Sequence, residues 1–109
     1  MTTQDFAKQL GFKVLCMPEP DKEIDGVYIG DLLSWVMGKA ESGNIWITIM
    51  SNINIVAVGT LVDVSAILLA ENVEPDAEAL NTAREKGINI LSTPLSSYEA
   101  AAKIAGALS

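Results

Sequence analysis

The chain has 109 residues, half of them hydrophobic, and fourteen acidic side chains against seven basic ones give it a formal charge of −7. That length suits a single domain over residues 1–109 with one core, and the apolar fraction excludes a disordered chain. The acidic balance excludes nucleic acid as a partner, because phosphate contacts need clustered Lys and Arg, and no apolar run reaches the ~18–20 residues needed to span a bilayer.

The opening Met1-Thr2-Thr3-Gln4-Asp5 is polar, with no basic segment leading into an apolar one, so it does not read as a secretory signal. Thr2 or Thr3 caps a short helix through Leu10, with Phe6 and Leu10 on one face, and Gly11 stops it. Phe12 to Cys16 reads as a first strand. Cys16 is the sole cysteine, which excludes a disulfide framework and fits a reducing, cytoplasmic setting. With no histidine to activate it, Cys16 reads as a small buried hydrophobe.

Pro18 and Pro20 open an acidic loop, and Val27-Tyr28-Ile29 is a short β segment ended by Gly30. Asp31 can accept the free amides of a helix over Leu32 to Met37, whose Leu32, Leu33, Val36 and Met37 form an apolar stripe. Ile45 to Met50 is β-rich and apolar on both faces, as in a strand covered on both sides. Asn54 can cap a helical segment through Leu61, and Ser65 to Ala70 is again a buried strand. Pro75 at the first helical position, with Asp76 and Glu78 near the start and Arg84 and Lys86 near the end, marks a helix that Gly87 stops. Ile88 to Leu91 is a further strand. Ser96 with Glu99 forms a capping box that opens a final Ala-rich helix to Leu108. This alternation calls for an α/β domain with a mainly parallel sheet and helical crossovers.

Chemistry has few carriers here. General acid–base work falls to Asp, Glu, Lys, Tyr or Cys, since no histidine is present. No Walker A motif and no Gly-x-Gly-x-x-Gly fingerprint follows a strand. The sequence thus reads as a non-catalytic binding or regulatory domain, with no cofactor and no metal expected. Ser51, Asn52 and Asn54 lie between a strand and a helix start, where free amides favour an anion; simple turn chemistry needs the same residue types. Asp31 holds an equivalent strand-to-helix position, where an N-cap is the ordinary role. Thr93, with Ser96 and Ser97, makes a second polar loop that faces the same rim if its strand neighbours the other. Trp35 and Trp46 read as core or interface before stacking platforms. The acidic runs from Glu19 to Asp25 and Glu71 to Glu78 read as solvated surface, or as a docking face for a basic partner.

Several stretches together resemble the DRTGG-domain family: Val27 to Met37, Ile45-Trp46-Ile47-Thr48, Asn54 to Val58 and Gly87 to Thr93, in order and at plausible spacing. The resemblance implies a three-layer α/β fold with helices on both faces, similar to the N-terminal domain of HPr kinase/phosphorylase. It implies a regulatory or ligand-sensing role, as in family members fused to phosphotransacetylases or set beside CBS domains, and a gene neighbourhood of redox enzymes for small stand-alone members. Many members place an Asp-Arg pair in the loop before the central apolar helix; this chain has Ser51-Asn52-Ile53-Asn54 there. Asparagine cannot supply a bidentate, charge-assisted contact, so backbone amides would carry the affinity.

The expectation is a cytoplasmic regulatory domain acting as a homodimer. It binds a small anionic ligand or nucleotide at a rim formed by Asp31, Ser51, Asn52, Asn54 and Thr93 and reports to a partner enzyme. The alternative is an accessory subunit that docks an enzyme and takes no small ligand.

Overall fold

A computed structural model describes residues 1–108. The described residues form five strands, β1 (Lys13–Cys16), β2 (Val27–Ile29), β3 (Ile45–Thr48), β4 (Ala66–Leu69) and β5 (Ile90–Ser92), and five helices, which alternate from β2 onward. The helices are α1 (Thr3–Leu10), α2 (Leu33–Lys39), α3 (Asn54–Val62), α4 (Ala77–Lys86) and α5 (Ser97–Leu108). The sheet order is β1-β5-β4-β3-β2. β2 through β5 run parallel, and β1 alone is antiparallel, pairing Lys13 with Ser92. A mainly parallel sheet, expected from the alternation of strands and helices, is what forms.

The period-two pattern of the central strands divides the core. Trp46, Ile67, Leu69 and Ile90 point to one face and pack against Val36 of α2, Ile55, Val56 and Val58 of α3, and Ala79 and Ala83 of α4. Ile45, Ile47, Ala66, Leu68 and Leu91 point to the other and pack against Phe6 and Leu10 of α1 and Ile104 of α5. The result is three layers, with β3 and β4 buried along their whole length as two-sided apolar strands must be. Trp46 is fully buried, and its indole N–H donates to the Gly30 carbonyl at 2.8 Å, so burial leaves no polar atom unpaired.

Local signals place most element ends. Thr2 Oγ1 accepts from the Asp5 amide at 3.2 Å, and Gly11 closes α1 at φ 71°. Gly87 closes α4 at φ 76°, a left-handed position that a Cβ would strain. The capping box forms as expected, Ser96 N–H to Glu99 Oε1 at 3.0 Å and Glu99 N–H to Ser96 Oγ at 3.1 Å. These bonds hold the Glu99 carboxyl below its ordinary pKa.

Three local expectations are corrected. α3 is capped by Ile53 rather than by Asn54; Asn52 Oδ1 takes the Asn54 amide in an Asx turn, which shifts the helix start by one residue. Pro75 lies outside α4, whose N-cap is Asp76, because the Asp76 amide is tied to the Ser51 carbonyl and holds the segment extended. The apolar stripe of α2 is not buried as a whole: Val36 is buried, Leu33 is half-buried, and Leu32 and Met37 are exposed.

Candidate functional site

Because β2 to β5 are parallel, the loops after them open at one rim. The rim comprises residues 30–32, 49–53, 70–76 and 93–96. All five predicted residues lie on it or at its helix starts. They do not form one cluster. Asp31 follows β2 and Thr93 follows β5, three strand spacings apart, which is roughly 14 Å at ~4.8 Å per strand.

Asp31 does not cap α2, whose N-cap Leu32 makes no side-chain capping bond. Its Oδ1 instead accepts from Thr48 Oγ1 at 2.7 Å and from the Ile49 amide at 3.0 Å, so the carboxylate turns back over the end of β3. Buried Thr48 completes the motif by accepting from the Met50 amide at 3.2 Å. The two loops at this end of the rim are thereby stapled together.

Ser51 and Asn52 are half-buried and Asn54 is exposed. The Asn54 amide donates to Asn52 Oδ1 at 2.9 Å, the Ile55 amide to the Asn52 carbonyl at 3.1 Å, and the Val56 amide to the Ile53 carbonyl at 3.0 Å. The first amides of α3 that sequence reasoning offered to an anion therefore have internal acceptors. Thr93 is buried, and its Oγ1 accepts from the Leu95 amide at 3.2 Å. Among the described residues no buried side-chain nitrogen or oxygen lacks a hydrogen-bond partner. The polar rim residues thus serve as turn and staple formers as well as ligand candidates.

The β4–α4 loop is the part of the rim that sequence reasoning missed. Its Asn72 amide donates to the Thr93 carbonyl at 2.9 Å, Glu71 N–H to the Leu95 carbonyl at 2.8 Å, and Asp76 N–H to the Ser51 carbonyl at 2.9 Å. It bridges the Ser51–Asn54 loop to the Thr93 loop across the end of β4. Glu71 and Asn72 take consecutive left-handed conformations, φ 59° and 58°, where a side chain is disfavoured. The available signal was Asn72, a residue that tolerates this region, within what read as an acidic surface run. Beside the loop a cleft of about 220 Å³ is lined by Lys13, Ser92, Asn72 and Glu74 among others. That is below the ~300–1,000 Å³ of typical ligand pockets.

Away from the rim, burial pushes the Cys16 thiol up from its ordinary pKa, and Sγ donates to the Ile88 carbonyl at 3.3 Å. The group is an inert, packed hydrophobe, as expected from the sequence. Among the described residues no group of three or more His, Cys, Asp and Glu could hold a metal ion, and no helix is long and apolar enough to cross a membrane.

The DRTGG-domain family pattern matches residues 5–107, nearly the whole chain. This chain belongs to the DRTGG-domain family. The resemblance noted from its sequence words holds, and the three-layer α/β fold agrees with a solved relative. A crystal structure of the CBS and DRTGG domains from the regulatory region of Clostridium perfringens pyrophosphatase, complexed with the activator diadenosine tetraphosphate, is similar at a TM-score of 0.72 and 20% identity. The likeness covers 92% of this chain but 44% of that one, so this DRTGG domain spans less than half of the region solved there. No protein of curated function matches this chain. In that relative the DRTGG domain is part of a regulatory region.

Proposed function

We propose that this DRTGG domain is a non-catalytic regulatory module that binds a small anionic ligand, a nucleotide foremost, along the carboxyl rim. It acts as a homodimer in the cytoplasm and reports its ligand to a partner enzyme. The observation that carries this reading is the lacing of the rim: Asp31 ties the β2 and β3 ends, and the β4–α4 loop ties the β3 and β5 ends. A ligand that displaces one of these bonds shifts the balance of the others, which is what a sensor of two states requires. The rim's length suits an extended ligand better than a compact one, and the nucleotide activator of the pyrophosphatase relative supports that class.

The test is a thermal-shift screen against nucleotides, acyl phosphates and redox cofactors. A ligand at a hundred times its Kd adds ~2.7 kcal/mol to the native state, which is about 10 °C for a domain of this size. Asn52→Ala with Asn54→Ala should abolish the shift; a shift of undiminished size in that variant refutes the rim as the site.

A second reading, an accessory subunit without a small ligand, is favoured by one observation. The Asp31, Asn52 and Thr93 side chains of the rim already have partners within the chain, while Leu32 and Trp35 stand exposed. A flat screen would select it.

A further inference from the structure

The sheet has an open edge at β2, and the side chains beside it do not look like a solvated surface. Along β2 the Gly26 carbonyl accepts from Ile45 N–H and the Gly30 amide donates to the Ile47 carbonyl, both toward β3. Alternation in a parallel ladder then turns the backbone N–H and C=O of Val27 and Ile29 outward, away from the sheet. Natural edges of this kind are blunted by short length, lysine, proline or a bulge, and β2, at three residues, has the first. It has no lysine, proline or bulge: it reads Val27-Tyr28-Ile29.

The helix that follows completes the surface. Leu33 and Ala40, on one flank of α2, pack against the core that α2 shares with α3. Leu32, Trp35 and Lys39, spaced by three, four and seven residues, share a flank of α2 that lies outside this core. Leu32 is 62% and Trp35 59% exposed, and the Lys39 ammonium lies 5.4 Å from the Trp35 ring centroid. On the other face of the sheet, Ile29 and Ile49 are each 46% exposed at the same end of the edge. Large apolar groups wrap both sides of an unpaired strand, the arrangement that marks an interaction site.

Charge decides the occupant. Between Gly26 and Lys39 the chain carries only Asp31 and Lys39, a net charge of zero in a protein of −7. A basic partner would seek the acidic surface elsewhere. Two copies of this chain, which repel over most of their surfaces, approach most favourably through the neutral face. We propose that β2 pairs antiparallel with β2 of a second copy across a two-fold axis, joining two five-stranded sheets, with Leu32 and Trp35 of both copies closing over the seam. The contact is isologous, as a two-fold requires. The antiparallel arrangement turns the Lys39 end of each α2 toward the Asp31 end of the other, so the two charges of this stretch face opposite signs. The carboxylate can respond, because both of its internal bonds are made by Oδ1.

This interface rests on the homodimer named in the proposed function and assigns it a surface. Sedimentation equilibrium of the full chain, from micromolar to millimolar concentration, should show the dimer mass growing in with concentration. Ile29→Lys and, separately, Trp35→Glu should each weaken association by ~10-fold or more, since like charges then face each other across the seam. Circular dichroism should show both variants folded, as both positions are exposed. Acrylamide quenching supplies a second readout: Trp46 is buried in either state, so protection that grows with concentration reports Trp35. A dimer indifferent to both substitutions overturns the β2 interface and leaves the homodimer standing. A monomer at every concentration overturns both and gives the face to a different protein. The ligand screen is independent of either result.

Discussion

Asp31 is where a structural and a ligand-binding role separate most cleanly. Replacing it with alanine removes the acceptor for the Thr48 hydroxyl, which is buried, and for the Ile49 amide, which water can reach. A buried donor left unpaired costs ~1–3 kcal/mol, and the solvent-accessible amide adds little. The loss should be about 2 kcal/mol, which for a domain of 109 residues is about 8 °C in Tm. Thermal denaturation by circular dichroism reads it directly. A Thr48→Val background tests the cause: with the hydroxyl gone, Asp31→Ala should cost much less, so the double-mutant cycle should show coupling on the order of 1 kcal/mol. An Asp31→Ala variant within a degree of the parent, or two losses that simply add, would refute the staple. Asp31 would then be left as a ligand-contacting group.

Two further outcomes follow from backbone and charge. Glu71→Gly should raise stability by ~1 kcal/mol in urea unfolding, because glycine takes φ 59° without the strain a Cβ imposes; a loss would mean that the Glu71 side chain is needed where it stands. Asp63 is bonded by Lys22 at 2.6 Å and by Ser42 at 2.9 Å, and these bonds hold its carboxyl below the ordinary value of 3.8. With the folded pKa depressed, its stabilisation is fully present above that value and is lost as pH falls through the folded pKa. Asp63→Asn should therefore cost stability at neutral pH and flatten its decline on acidification; parallel stability curves for the two proteins would contradict this.

The fold was readable because its signals are local and agree with one another. Two-sided apolar strands at Ile45 and Ala66, the glycines at 11 and 87, and the Ser96–Glu99 box each specify an element without reference to the rest. The rim was legible as a place and not as a network. An aspartate before a helix looks like a cap from its neighbours in sequence. Its partner Thr48 lies seventeen residues away, and only the parallel pairing of β2 with β3 brings the two together. Asn54 looks like the cap for the converse reason: the Asn52 side chain two residues earlier takes the Asn54 amide and draws Asn54 into the first turn of α3. The β4–α4 bridge was hidden because consecutive left-handed residues carry no glycine to announce them. Trp35 and Trp46 both lie in largely apolar stretches of sequence and are opposite in burial. What separates them is that Trp46 lies on a strand covered on both faces and Trp35 on a short helix that buries only Val36.

The reversed first strand has a consequence for how the chain assembles. β1 finds its place only beside β5, and the Asn89 side chain that fastens the following loop bonds the Glu19 amide seventy residues away. β2, β3 and β4 are neighbours joined in sequence through single helices and can zip in order as they leave the ribosome. β1 has to wait for its only partner strand until β5, the last of the five, has been made. Closing that large loop is an entropic toll taken late, and long-range pairings of this kind slow folding. A chain cut short of β5 would therefore leave β1, near its opposite end, with no strand to pair with.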